Sequence, residues 1–308
     1  MRSLRRVIVG VDFSAPSITA ALWTAQHLIQ PLKGAELRLV HAVVVPEPPG
    51  FLRGRYPHLE SLVDSAREGA EVRLRELATQ LPLEGVKAEV RIGRPVDVLV
   101  ETARDLVVDL IVVGRHGEQP SVWDHLGSIA EALVRTAAVP VMLATGLRDT
   151  RPRHILAALD DDDQSATVLR CASRLAHDFG ARVTAVHVMS NAVLSHVLSM
   201  QAVTTGQTRF TDEEVRAQFR DEAASWIGRL VESGVEGTRA ACEVAFGDPA
   251  AEIVSVAERV SADLLVVGRR GRHPMRRALL GSVVRGVLQS ASAPVLVAVE
   301  TEDEVAVW

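Results

Sequence analysis

The residues best placed for chemistry are small ones: Gly114, Gly117, Gly127 and Ser128, in the stretch GRHGEQPSVWDHLGS that follows the apolar run DLIVV. Two residues separate the first pair of glycines, and nine precede the Gly-Ser pair. Gly114 leaves a strand end, where a side chain would block a crevice. Gly117 admits a positive φ or a close approach of backbone to a ligand. Gly127-Ser128 opens a helix, whose free N–H groups and partial positive charge attract phosphate. The Ser128 hydroxyl adds one more donor. A tight turn followed by a helix cap, with no ligand, would use the same residues. No G-x-x-x-x-G-K-[ST] is present, so the stretch is not a P-loop.

The pattern is written twice. GRRGRHPMRRALLGS carries Gly268, Gly271, Gly281 and Ser282 at the same spacing, and its flanks match as well. DLIVVGRHG pairs with DLLVVGRRG, Gly93-Arg94-Pro95 with Gly247-Asp248-Pro249, and VPVML with APVLV. About a third of positions are identical over about fifty residues, against a chance level of about 6% for average composition. Earlier, RRVIVGVDFSAPS pairs with RHILAALDDDDQS, so Asp12 matches Asp160 and Ser17 matches Ser165; His41 likewise matches His187. The second copy carries extra residues near 190–206, and TGLRDTRPR at 145–153 reads as a linker. A period this long means a duplicated domain rather than a solenoid. The expected domains are 1–146 and 152–301.

In each copy, short Val/Ile/Leu runs alternate with longer amphipathic stretches. The spacing predicts strands at 5–11, 36–45, 87–92, 108–113 and 139–144, with helices at 15–30, 58–80, 95–106 and 128–137. The second copy repeats the strands at 153–159, 182–189, 238–246, 263–267 and 294–299. Ser14 is placed to cap the first helix, and Pro16 falls in its first turn. Such alternation implies α/β domains, each a doubly wound parallel sheet with helices on both faces. In the order 3-2-1-4-5, the ends of the first and fourth strands flank the switch in strand order, where ligands bind in such sheets. Those ends are Val11-Asp12 and Gly114.

The chain has 308 residues, 47% hydrophobic and 24% charged, with a formal net charge of −5. This charge gives no electrostatic case for nucleic acid as a partner. No apolar stretch approaches the ~18 residues that would span a membrane, and the basic-then-apolar start reads as a strand rather than a signal peptide. Cys171 and Cys242 are the only cysteines; they make no disulfide framework and suit a cytoplasmic location.

Taken together, these residues resemble the universal stress protein family. The resemblance rests on both Gly-x2-Gly-x9-Gly-Ser patterns after DLIVVG and DLLVVG, and on VGVDFS with Asp12. It rests also on Val40-His41-Ala42 and Val186-His187-Val188, the G-x-P before the third helix, and the closing Pro-Val. It covers nearly the whole chain in two tandem copies and implies a five-stranded sheet in each. It further implies binding of ATP, or of ADP or AMP, with or without magnesium. By that resemblance adenine would lie near the backbone of Ala42 or Val188, and the adenosine near Val11-Asp12 or Asp160. Gly114, Gly117, Gly127, Ser128 and Ile129 would cradle ribose and phosphates in copy one. Gly268, Gly271, Gly281, Ser282 and Val283 would do so in copy two. It also implies that the last strands of the copies pair within the chain as a pseudo-dimer, either as a monomer or paired again as a homodimer.

The chain departs from the family pattern at Ala130 and Val284, where a Ser or Thr would give one more phosphate contact. Copy two has Asp162 in place of Ser14, inside the run Asp160 to Asp163, which would repel phosphate unless a divalent cation bridged it, or would simply start a helix. Its loop carries Arg269, Arg270, Arg272, Arg276 and Arg277, facing phosphate, the acidic run or solvent. Copy one offers Arg115, His116 and His125, countered by Glu118 and Asp124. The two sites are therefore expected to be unequal. His41 and His187 read as packed, hydrogen-bonded strand-end residues. Trp123 could cover a ligand, and the loop around Tyr56 could act as a lid or a contact surface.

No Ser/His/Asp arrangement, HExxH, SGGxDS or HIGH is present, and neither glycine loop contains a lysine. The expected function is an adenine-nucleotide-binding regulator of the stress response with at most slow ATP hydrolysis. The alternatives are a nucleotide-free scaffold and a slow metal-dependent ATPase using Asp12 or the acidic run.

Overall fold

RVIVG forms strand β1 (Arg6–Gly10) in the computed structural model, and Val7, Ile8 and Val9 are each at most 1% exposed. Three consecutive buried residues need cover on both faces of the sheet, which is why the run is apolar without alternation. The structure describes residues 4–45, 59–117, 126–161, 164–205, 211–234, 240–269 and 280–300.

The chain divides into two units, Leu4–Arg151 and the residues from Pro152 onward. After β1, the first unit runs α1 (Ala15–Trp23), β2 (Glu36–Val43), α2 (Leu59–Gln80), β3 (Lys87–Ile92), α3 (Pro95–Leu106), β4 (Leu110–Gly114), α4 (Ser128–Thr136) and β5 (Val141–Ala144). Its strands lie in the order β3-β2-β1-β4-β5, every pair parallel. The second unit runs β6 (His154–Leu159), α5 (Gln164–Phe179), β7 (Arg182–Met189), α6 (Asn191–Thr205), α7 (Asp212–Gly234), β8 (Ala240–Phe246), α8 (Pro249–Arg259), β9 (Leu264–Gly268), α9 (Ser282–Ser290) and β10 (Val295–Ala298). Its order is β8-β7-β6-β9-β10, again all parallel. Both units are doubly wound α/β sheets.

Local chemistry sets the first helix. Ser14 caps α1, its side chain accepting from the Ser17 N–H, and Pro16 lies in the first turn, where the missing donor costs nothing. The helix does not run on uniformly to residue 30: Thr24–Ile29 widens to π geometry, with Gln30 N–H donating to Ala25 O at 2.9 Å. Here Trp23 Nε1 donates to Arg148 O (2.7 Å), and His27 Nε2 lies 3.1 Å from Asp149 Oδ1. In the second unit the extra residues after β7 carry helix α6.

One device appears in both units. Asp109 Oδ2, just before β4, accepts from the N–H groups of Arg5 (2.7 Å) and Arg6 (2.9 Å). Asp263 Oδ2, just before β9, accepts from Arg153 (3.0 Å) and His154 (3.1 Å). Each carboxylate ties the start of a unit's first strand to the start of its fourth. The register of those two strands, and so the alignment of their far ends, is held from below. None of the described helices is long and apolar enough to cross a membrane.

Candidate functional site

The switch in strand order falls between β1 and β4, whose neighbours on either side lead away in opposite directions. Beyond β1, Val11 N–H continues the ladder to Val40 O (2.9 Å), and the chain then turns at Asp12. Ser14 donates to Asp12 Oδ1 from its backbone N (3.0 Å) and its hydroxyl (2.5 Å), while the Asp12 N–H donates to Ser17 Oγ (3.3 Å). Burial opposes ionisation of Asp12, but the hydrogen bonds from Ser14 and Ser17 outweigh it and hold the carboxyl below its ordinary range. Phe13 takes φ 63°, a left-handed conformation that costs a bulky residue strain. Its ring centroid lies 4.6 Å from that of His41, and the Arg73 guanidinium sits over the ring, 4.0 Å from its centroid. His41 Nδ1 bonds to Val11 O (2.7 Å) and so braces the turn.

Across the crevice, β4 ends at Gly114. A Cβ there would lie 3.3 Å from both Pro16 Cβ and His116 O. Gly117 is not at positive φ; it is small because a Cβ would stand 2.9 Å from Asp12 Oδ2. Gly127 donates its N–H to Arg115 O (3.1 Å), and a Cβ on it would meet that same oxygen at 3.0 Å. The glycine spacing thus folds the chain after β4 back onto the strand end and starts α4 there. Gly127 is the N-cap and no side chain caps the helix. The N–H groups of Ser128, Ile129 and Ala130 therefore have no partner among the described residues.

These pieces enclose a cavity of about 410 Å³, within the range of small-molecule sites. Val11, Asp12, His41 and Ala42 line one side, and Gly114 to Gly117 with Leu126 to Ala130 line the other. Pro95, Leu99 and Val113 add apolar wall. Val11, Asp12, Ala42, Gly114, Gly117, Gly127, Ser128 and Ile129, the copy-one nucleotide residues named from the sequence, all border this space. Phe13 and Arg73 were not singled out. Phe13 sits beside the matched Asp12, but nothing in the sequence pairs it with a helix residue sixty positions on.

The second unit repeats the frame with different side chains. Asp160 N–H donates to Ser165 Oγ (2.8 Å), as Asp12 does to Ser17, and the Ser165 hydroxyl bonds back to Asp160 O. His187 Nδ1 bonds to Leu159 O (3.0 Å). Asp161 stands where Phe13 stands, its N–H on Asp160 Oδ1 (2.8 Å). His187 is only 8% exposed, with the Trp226 ring edge-on at 5.5 Å. Val188 is partly exposed near the end of β7. A Cβ at Gly268 would lie 2.8 Å from Gln164 Oε1, so a side chain covers this strand end where Pro16 flanks Gly114. Gly281 is the N-cap of α9, again without a side-chain cap, and Ser282 and Val283 open the helix. Gly271, Asp162, Asp163, Arg270, Arg272, Arg276 and Arg277 lie outside the described residues, as do Tyr56, Glu118, Trp123, Asp124 and His125. Among the described residues no group of three or more His, Cys, Asp or Glu is arranged to hold a metal ion.

A family model described as the universal stress protein family matches residues 3–145 and again 152–298. Universal stress protein Rv2623 of Mycobacterium tuberculosis is 30% identical over 307 residues, covering 96% of this chain and 96% of that protein. Universal stress protein Rv2005c of the same organism is 28% identical over 313 residues, covering 96% and 98%. The crystal structure of a universal stress protein from Archaeoglobus fulgidus DSM 4304 aligns with a TM-score of 0.65 at 19% identity, over 96% of this chain and 98% of that one. That likeness is one of fold.

Proposed function

This chain belongs to the universal stress protein family as a tandem two-domain member, and from that premise we propose that its first copy binds an adenine nucleotide in the cavity between β1 and β4. The observation that carries this reading is the convergence of uncapped N–H groups, tight glycines and a hydrogen-bonded carboxylate on one space. Uncapped donors at a helix start favour an anion. At Gly117 and Gly127 a Cβ would press on Asp12 or on Arg115 backbone, so the cradle is built to keep side chains out. The residues present fit a nucleotide. Ala42 borders the base, Asp12 with Val11 the ribose, and Gly114, Gly117, Gly127, Ser128 and Ile129 the phosphates. Buried Ala130 has no hydroxyl to offer a terminal phosphate, so AMP and ADP are expected to bind about as well as ATP.

The protein then acts as a nucleotide-responsive regulator in the cytoplasm rather than as a strong catalyst. Cys171 and Cys242 form no disulfide, which accords with that location. We place a second, weaker site in copy two at Asp160, Val188, Gly268, Gly271, Gly281, Ser282 and Val283. Gln164 over Gly268 and Trp226 over His187 are the reasons for ranking it second. Protein purified without added nucleotide, denatured and resolved on an anion-exchange column, should release adenine nucleotide. Protein that carries none and takes up none would leave the loops as structural turns and favour a scaffold.

A further inference from the structure

Phe13 holds a conformation that its side chain discourages. Its φ of 63° lies in the left-handed region, which suits glycine and strains a bulky residue. Such strain persists only where the surroundings over-determine it, and it gathers at ligand clamps and switches. Two groups meet the Phe13 ring: the His41 imidazole, 4.6 Å between centroids, and the Arg73 guanidinium, 4.0 Å from the centroid. His41 is itself tied to Val11 O, one residue before Asp12 (2.7 Å). Arg73 extends from α2, where Arg67 and Arg75 both pair with Glu71; among the described residues Arg73 makes no ion pair, so no carboxylate competes with the ring. Ala70, Leu74 and Leu77, each at most 7% exposed, anchor that helix on either side of Arg73. Asp12 borders the cavity; Phe13 and the described residues of α2 do not. Any contact of Arg73 with the site therefore passes through Phe13 and the turn. In the second copy Asp161 stands in place of Phe13 and is not at positive φ, so this clamp is described only in the first.

We propose that Arg73 and Phe13 are positioning residues of the first site: the guanidinium and the imidazole grip the Phe13 ring, keep the turn left-handed, and so set where the Asp12 carboxylate stands in the cavity. The inference rests on the adenine-nucleotide reading of that cavity and deepens it. Rotation about φ of residue 13 moves Ser14 relative to Asp12, and Ser14 supplies both hydrogen bonds to Asp12 Oδ1. A turn released from the left-handed region loses those bonds and frees the carboxylate to swing away. Only molecules that keep the turn bind at full strength, so the apparent affinity falls with their fraction.

The test is a double-mutant cycle on the full-length, nucleotide-free protein, read by calorimetric titration with AMP. Arg73→Ala keeps a good helix former on α2 and removes the guanidinium. It should weaken AMP binding about three- to tenfold, the range a cation–π contact allows. Arg73→Lys, which keeps a cation over the ring, should recover most of that loss. Phe13→Gly takes the left-handed φ without strain and offers Arg73 no ring. In that background Arg73→Ala should change AMP affinity by less than about 1.5-fold, whereas an Arg73 that served only to pack α2 would cost the same in both backgrounds. Should the Phe13→Gly proteins fold poorly, carbon NMR of the aspartate carboxyls serves instead. There Arg73→Ala should shift Asp12 and leave Asp109, at the other end of β1, where it was. Wild-type affinity in Arg73→Ala, an equal loss in both backgrounds, or an Asp12 signal indifferent to Arg73→Ala would overturn the proposal while leaving the nucleotide site standing. Wild type that takes up no AMP, ADP or ATP would overturn the underlying reading, and this one with it.

Discussion

Gly117 lies against Asp12 so closely that a Cβ at 117 would stand 2.9 Å from Asp12 Oδ2. This contact joins the turn after β1 to the chain leaving β4, the two banks of the crevice at the switch in strand order. The side chain of Asp12 can move more easily than backbone. A substituent at 117 would therefore displace the carboxylate from its bonds to Ser14 rather than unfold the sheet. Gly117→Val is expected to weaken adenine-nucleotide binding about tenfold, the scale of one charge-assisted hydrogen bond. Its melting temperature should fall no further than that of Asp12→Asn, since Gly117 is exposed and the sheet itself is untouched. Calorimetric titration beside a thermal melt checks both; wild-type affinity would detach Asp12 from the site.

The hydrogen bonds from Ser14 and Ser17 hold the Asp12 carboxyl below its ordinary value of 3.8 against the opposing effect of burial. A depressed folded value means that the ionised form stabilises the fold. Its contribution is complete above about pH 4 and disappears as pH falls through the lowered folded value. Asp12→Asn should be less stable than wild type at pH 6, and the two melting temperatures should converge toward pH 2. A constant difference across that range would show that the Asp12 charge does not matter to the turn.

His154, buried at the start of β6, is held between Val260 O (2.9 Å) and Thr184 Oγ1 (2.8 Å). Burial, and secondarily the Arg182 charge, push its imidazole below the ordinary 6.5. The folded state binds this proton less readily than the unfolded chain. Stability from the neutral ring is therefore complete above about pH 6.5 and is lost as pH drops from there toward the lowered folded value. An NMR titration should place His154 below 6.5, and His154→Gln should flatten the loss of stability between pH 7 and 5. A midpoint at or above 6.5 would contradict the account.

Much of the frame was legible because it is local. The β-branched runs, the Ser14-Ala15-Pro16 helix start and the two glycine patterns fix backbone within a few residues of themselves, and duplication let each copy vouch for the other. The ends of β1 and β4 could be placed at one crevice once the order 3-2-1-4-5 was taken; alternation and handedness alone leave that order open. Side-chain contacts between distant elements carry no such period. Nothing in the spacing joins Arg73 on α2 to Phe13, or Trp226 on α7 to His187. Gly117 shows the same limit: a positive φ or a close approach was expected there, and the structure has no positive φ but a contact with the carboxylate of Asp12, far earlier in the chain. The aspartates of DLIVV and DLLVV matched in sequence, yet their double bonds to the first strand emerge only when β1 and β4, or β6 and β9, lie side by side.

The most direct measurement is a calorimetric titration of nucleotide-free protein with AMP, ADP and ATP, repeated on Gly127→Asp. Any Cβ at 127 would press on Arg115 O at 3.0 Å, and the added carboxylate would oppose phosphate at the start of α4. The account predicts saturable binding whose tighter equivalent is lost in Gly127→Asp, with the β-sheet signal and cooperative melt retained. Absence of binding in wild type, or wild-type affinity in Gly127→Asp, would contradict it.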